Sequence, residues 1–166
     1  LADAYEELNQ LSDAQQALRT VLEVSPRSPE RSKRLGDISA KLKDWYTAEQ
    51  AYSRVIRLSR ETAEEQVEMY YDHLQSITNL IASGDESKTL NEKFKRSLIR
   101  LRIIGKASPT AVTNSFRIEV QQYVTRNHIG EAVKTWKNWH RLIQDGRASP
   151  LTQAQEMTLK KKLGLL

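Results

Sequence analysis

The sequence predicts an all-α protein, an α–α superhelix in which antiparallel helix pairs form a right-handed solenoid of about nine helices. The first observation is an internal repeat, because residues 35–58 echo residues 1–24 at a distance of thirty-four residues. A fixed period in this range is typical of stacked supersecondary units. The second observation is that only six Gly and four Pro occur in 166 residues, which leaves few helix breakers. The third is helical spacing of apolar residues without an alternating β pattern.

Residues 1–60 are predicted to form two helix pairs. In the first pair, a helix ends near Leu11, and Ser12 caps the next helix. The second pair begins at Ser28, which caps a helix with proline in its first turn, and Asp44 caps the partner helix. Gly36 is expected where a side chain would hold the neighbouring helix away.

The remaining helices follow a less regular plan. Residues 61–104 are predicted to form a long, degenerate pair, one helix from Glu61 to Ala82 and another from Glu86 to Ile104. Residues 105–166 are predicted to form a further pair plus a polar capping helix, which the ends of stacked repeats require. The Ser-Pro dipeptides at 108–109 and 149–150 are expected to start helices there. One continuous domain results, and a start inside a helical pattern without Met predicts a fragment of a longer protein.

The repeat resembles a known family. The pattern Leu-Gly at 35–36, Ala-Glu-Gln-Ala-Tyr at 48–52 and Val55, with proline before the helix pair, is similar to the tetratricopeptide repeat. The resemblance covers residues 1–60 and implies a scaffold that binds a partner peptide or helix in a concave groove. It also implies that the first helix of each pair lines that groove. The matching positions in this chain are Lys33, Asp37, Lys41, Val67 and Tyr71.

A second resemblance concerns residues 24–38, which read V-S-P-R-S-P-E-R-S-K-R-L-G-D-I. This run is similar to the repeat region that follows a receiver domain in some bacterial response regulators. It implies a role in two-component signal transduction, with the helical array as the output or docking arm of the regulator.

Charge is unevenly distributed along the chain. Residues 1–84 hold ten Lys/Arg and fourteen Asp/Glu, a net charge of −4, whereas residues 85–166 hold sixteen and seven, a net charge of +9. Solvated helix faces are the ordinary reading of such charges. The alternative is that the basic half binds an acidic partner or nucleic acid. Opposite charges at the two ends also allow self-association. The candidate nucleic-acid patch is Lys93, Lys95, Arg96, Arg100 and Arg102.

The sequence offers no constellation for catalysis. No Cys is present, and His73, His128 and His140 do not share metal-ligand spacing on one helix. No phosphate-binding loop or nucleophile motif occurs. We therefore expect a non-enzymatic protein without metal or cofactor. The absence of Cys fits a cytoplasmic location, and no apolar run is long enough to span a bilayer.

Two aromatic pairs have competing interpretations. Trp136 and Trp139 are either core residues or a partner-binding pair, and the core interpretation is favoured because Trp136 has the repeat's inward position. Tyr70 and Tyr71 are about 100° apart on a helix, so one of them is expected to be partly exposed and available to a groove.

Overall fold

The computed structural model describes residues 2–58, 62–85 and 87–166, with side chains from residue 10 onward except that of residue 63. Within these ranges the protein is all-α, without a β-strand, which confirms the predicted fold class. The predicted helix boundaries at Arg60, Glu61 and Glu86 lie outside the described residues. The eight helices are α1 (Ala2–Val24), α2 (Pro29–Lys41), α3 (Trp45–Leu58), α4 (Ala63–Ala82), α5 (Lys88–Ile104), α6 (Pro109–Thr125), α7 (Ile129–Gln144) and α8 (Gln153–Lys162).

The chain divides into two compact units, residues 1–80 and 81–166, with the boundary in the last turn of α4. In the first unit α1 packs on α2 and α2 on α3, and a hydrogen bond between the buried side chains of Glu49 and His73 joins α3 to α4. In the second unit α5 packs on α6 and α6 on α7. There, α8 reaches the core through Leu159.

Helix α1 corrects one prediction. It continues through Ser12 as a single helix, so the predicted break after Leu11 and the cap at Ser12 are wrong. The physical reason is that residues 2–24 contain neither Gly nor Pro, and nothing interrupts the backbone hydrogen bonds. Near the end of this helix, Leu22 is buried beside Leu35, but Val21 is 41% exposed. Because of this continuation, the described residues form eight helices where about nine were expected.

The α2–α3 pair follows the prediction closely. Ser28 Oγ accepts a hydrogen bond from the Arg31 backbone N–H at 3.3 Å, and Asp44 Oδ1 accepts one from the Thr47 N–H at 3.1 Å. Such caps each contribute about 1 kcal/mol. At Gly36 a Cβ atom would lie 2.6 Å from the ring of Tyr52. The glycine therefore allows the close approach that was predicted.

Asp44 also ties α1 to this pair. Its Oδ2 accepts hydrogen bonds from Gln15 Nε2 at 2.9 Å and from an Arg19 guanidinium nitrogen at 2.8 Å. Burial alone would raise the pKa of Asp44, but the hydrogen bonds from Thr47 and Gln15 and the charge of Arg19 hold it below its usual value. One carboxylate thus both caps α3 and anchors α1.

Four helices end in the same turn. In each, the backbone N–H of the third residue after the last helical residue donates to the carbonyl five residues earlier, as in the bond of 2.8 Å from the Asp44 N–H to the Ser39 carbonyl. This is the Schellman arrangement, which places one residue in the left-handed region. After α7 and α8 the left-handed residue is a glycine, Gly146 or Gly164. After α2 and α6 it is Lys43 or Asn127, each with a φ of 58°. The α2–α3 and α6–α7 connections therefore share one geometry.

The core of the second unit is built on two tryptophans. Trp136 and Trp139 are 4% and 1% exposed, with ring centroids 5.4 Å apart in an edge-to-face arrangement. Phe116 stacks on Trp139 from α6 at 6.4 Å. The predicted core placement of both tryptophans is confirmed.

The predicted start of a helix at Ser149-Pro150 is wrong. Helix α8 begins at Gln153, capped by Thr152 in a reciprocal capping box with Gln155. Ser149 instead anchors the preceding loop to α6, because its N–H donates to the Pro109 carbonyl at 3.0 Å. The capping box satisfies two backbone donors, which is a stronger start signal than Ser-Pro alone.

Candidate functional site

The candidate site lies in the first unit and begins with two predicted groove residues on α2. Lys33 Nζ lies 3.4 Å from Asp37 Oδ2, one helical turn away. Asp37 Oδ1 also accepts a hydrogen bond from the Tyr52 hydroxyl of α3 at 2.9 Å. The side chains of Lys33 and Asp37 are 37% and 41% exposed, so a partner molecule can reach both.

Helix α4 adds two carboxylates to this site. Burial raises the pKa of Asp72 to about 6, and repulsion by Glu68 and Asp37 adds to the effect, while Lys33 opposes it. Lys33, Asp37, Tyr52, Glu68 and Asp72 therefore form one electrostatically coupled group, which we call the acidic cluster. It contains three carboxyl groups and one ammonium.

The other members of the acidic cluster respond to the same charges. Burial alone would lower the pKa of Lys33, but the carboxylates of Asp37, Glu68 and Asp72 together raise it above 10.5. Burial raises the pKa of Tyr52 well above its usual value, and the bond to Asp37 adds to the shift. The Tyr52 hydroxyl therefore keeps its proton and acts as a donor throughout the physiological range.

The α4 members of the cluster lie one residue beyond the predicted groove positions. The thirty-four-residue period carries Lys33 and Asp37 to Val67 and Tyr71, whereas the coupled carboxylates are those at 68 and 72. Val67 and Tyr71 are partly buried, as is Tyr70, and Lys41 is exposed on α2. The Tyr71 hydroxyl accepts a hydrogen bond from Gln75 Nε2 at 2.8 Å.

Sequence reasoning missed three members of the cluster. Glu68 and Asp72 form a pair of carboxylates one turn apart on α4, and this spacing matches that of Lys33 and Asp37 on α2. Pairing the two helices by this charge spacing, rather than by a strict period, would have found them. Tyr52 belongs to the repeat pattern at 48–52, but that pattern does not indicate the hydrogen bond of its hydroxyl to Asp37.

A buried polar network lies beside the acidic cluster. His73 Nε2 is 2.9 Å from Glu49 Oε1 and 3.0 Å from Ser53 Oγ, and the Ser53 hydroxyl donates to Glu49 at 2.8 Å. Serine, histidine and a carboxylate occur together, but both partners contact the same ring nitrogen. A catalytic triad needs the acid on one nitrogen and the serine on the other. We therefore interpret this network as a tie between α3 and α4.

The predicted basic patch lies on α5, and one of its five residues contacts α6. Arg102 turns towards α6, where its guanidinium lies 2.6 Å from Glu119 and 4.3 Å from the Phe116 ring centroid. Arg96 is 83% exposed and lies 3.9 Å from Glu92. Of the remaining predicted patch residues, Lys95 and Arg100 are exposed, and Lys93 is partly buried.

Among the described residues, no three or more His, Cys, Asp or Glu side chains are arranged to hold a metal ion. No helix within the described ranges has the length and apolar character needed to cross a membrane.

Comparison with known proteins gives no relative. The chain matches no protein-family model, no curated protein and no solved structure. The functional argument therefore depends on the residues of this chain and on their geometry.

Proposed function

We propose that this chain is a non-catalytic protein-interaction scaffold that binds a peptide or helix of a partner in a groove of its first unit. The acidic cluster is the observation that supports the proposal. Three helices bring charged and hydrogen-bonding side chains to one partly exposed place, where three carboxyl groups face a single ammonium. The flanking predicted residues Lys41, Val67 and Tyr71 supply further contacts.

The charge of the acidic cluster selects the partner. Burying several carboxylates beside a single cation disfavours their ionised form, and the pKa of Asp72 is raised for this reason. A Lys or Arg from the partner would neutralise this excess and lower that pKa. Binding is therefore expected to release a proton from the cluster near pH 6, and affinity should increase as pH rises through this range.

A comparison of charge variants tests the proposal. The double variant Asp37→Asn/Glu68→Gln removes two carboxylates without changing side-chain size, and exposed Asp13 on α1 offers a matched control in Asp13→Asn. Partners captured from the source cells by the wild type should be lost with the double variant and kept with the control. The companion variant Lys33→Glu/Lys41→Glu should change the partner set. An unchanged set for both double variants would reject this groove.

We extend the proposal to a place in a larger protein. On the strength of the residues 24–38 run, the scaffold acts as the cytoplasmic output or docking arm of a two-component response regulator. The coding sequence upstream of Leu1 tests this extension, because it should encode a phospho-acceptor receiver domain. Any other upstream domain would remove the extension and leave the scaffold proposal intact.

Nucleic-acid binding is the second candidate function. Its support is the set of exposed cations Lys95, Arg96 and Arg100 on α5. Phosphate contacts by these residues would make affinity fall steeply with salt. A gel-shift series from low to high salt tests this, and the absence of a shift at low salt would reject it. Self-association through opposite charges is tested by light scattering, where a monomer at high concentration and low salt rejects it.

A further inference from the structure

An open groove of about 380 Å³ lies beside α6 and α8 in the second unit. Trp139 of the core forms part of its lining, together with the apolar side chains of Leu151, Ala154 and Leu159. Two cationic side chains, those of Arg117 and Lys162, also line the groove. The volume falls within the range of about 300–1,000 Å³ that is usual for small-molecule sites.

The groove exists because α8 covers the core incompletely. No residue of α8 is fully buried, and Ala154 is exposed although it faces the groove. The helix is held mainly through Leu159 and through Leu151 and Leu163 at its two ends, which pack against the cluster around Trp139. Apolar surface next to the core is thus left accessible to a ligand.

The charge of the groove comes from these two cations. Neither Arg117 nor Lys162 is in an ion pair with another described residue, whereas nearby Lys160 lies 2.7 Å from Glu156. An apolar groove that carries two unneutralised cations complements a molecule with an apolar body and an anionic head.

We propose that this groove binds a small amphipathic anion, an apolar chain that ends in a carboxylate. The chain lies along the leucines and the edge of Trp139, and the carboxylate lies between the guanidinium of Arg117 and the ammonium of Lys162. Each methylene that enters the groove should improve affinity by about fourfold. This site is separate from the groove of the first unit, and neither proposal depends on the other.

Binding of octanoate to the intact chain tests the proposal, with octanol as the neutral probe of equal length. Titration calorimetry gives the affinity, and the intrinsic fluorescence of tryptophan reports occupation beside Trp139. Hexanoate and decanoate extend the series. We expect saturable binding of one octanoate, tighter binding of octanoate than of octanol, and affinity that rises with chain length until the groove is full.

Three variants locate the site. Arg117→Gln/Lys162→Gln should weaken octanoate by about tenfold, as the loss of two partly exposed ion pairs implies, and should leave octanol unchanged. Ala154→Phe should block both probes by filling the groove, and the exposure of Ala154 makes the variant compatible with folding. Lys95→Gln/Arg100→Gln, a matched change of two exposed cations on α5, should have no effect.

Three results would overturn the proposal. These are the absence of saturable octanoate binding to the wild type, full octanoate affinity in Ala154→Phe with an unchanged circular dichroism spectrum, and equal affinity of octanoate for the wild type and the Arg117/Lys162 variant. The first rejects a ligand site, the second rejects its location and the third rejects its anion preference.

Discussion

Replacing Asp72 by asparagine should stabilise the protein at neutral pH. Asp72 lies partly buried on α4, where burial and the charges of Glu68 and Asp37 raise the pKa of its carboxyl from 3.8 to about 6. Lys33 only partly opposes this effect. The ionised carboxylate is therefore an unfavourable element of the folded state, and an uncharged amide of the same shape removes it.

The magnitude follows from the pKa difference. A gap of about two pH units corresponds to about 3 kcal/mol, at about 1.4 kcal/mol for each pH unit. Because Asp72 keeps contact with water, solvent screening reduces the expected gain to about 1 kcal/mol. The folded state binds the Asp72 proton more tightly than the unfolded state does. This contribution to stability is therefore complete below about pH 3.8 and is lost as pH rises to about 6.

Urea unfolding followed by circular dichroism at pH 4, 5, 6 and 7.5 measures this effect. The free energy of unfolding of Asp72→Asn should match that of the wild type at pH 4 and exceed it by about 1 kcal/mol at pH 7.5. Taking the difference between the two proteins cancels the carboxyl groups outside the acidic cluster, and Asp13→Asn serves as an exposed control. A stability difference that is the same at all four pH values, or no gain at pH 7.5, would refute this account of the acidic cluster.

Three further changes test the packing and the turns. Gly36→Ala should lower the free energy of unfolding by about 1–3 kcal/mol, because the new Cβ atom would lie 2.6 Å from the Tyr52 ring. A second substitution, Tyr52→Leu, in the same protein should recover most of this loss in thermal melts. Arg102→Met should cost about 1–2 kcal/mol by removing the 2.6 Å ion pair with Glu119, and a double-mutant cycle with Glu119→Gln that shows no coupling would contradict the contact. Lys43→Gly should raise stability by about 0.5–1 kcal/mol, since φ is 58° there, and an unchanged denaturation midpoint would argue against strain at this turn.

Helix starts could be predicted from the sequence where a single capping signal was present and no stronger signal lay nearby. Ser28 and Ser108 both cap helices with proline in the first turn, as expected. At Ser149 the same dipeptide fails, because the capping box at Thr152 lies three residues away and provides a better start. At Ser12 a capping residue is present without a break in the helix, since a cap needs a chain that has already left helical geometry.

The candidate site was only partly predictable. Lys33 and Asp37 were identified by position in the repeat, and both belong to the acidic cluster. The coupling to Glu68 and Asp72 was missed, because their distance from the α2 pair in sequence is thirty-five residues rather than thirty-four. A shift of one residue rotates a helical position by about 100°. A repeat period therefore predicts which helix contributes to a site more securely than which side chain does.

The shared turn after α2 and α6 also has a kinetic consequence. Only three residues join α2 to α3 and three join α6 to α7, and these are the most extensively packed helix pairs of their units. Short loops close at small entropic cost, so contacts within such hairpins form early and re-form quickly after local opening. The two hairpins should therefore act as folding nuclei, with the slowest-exchanging amide protons of each unit inside them, while α8, which buries none of its own residues, opens first.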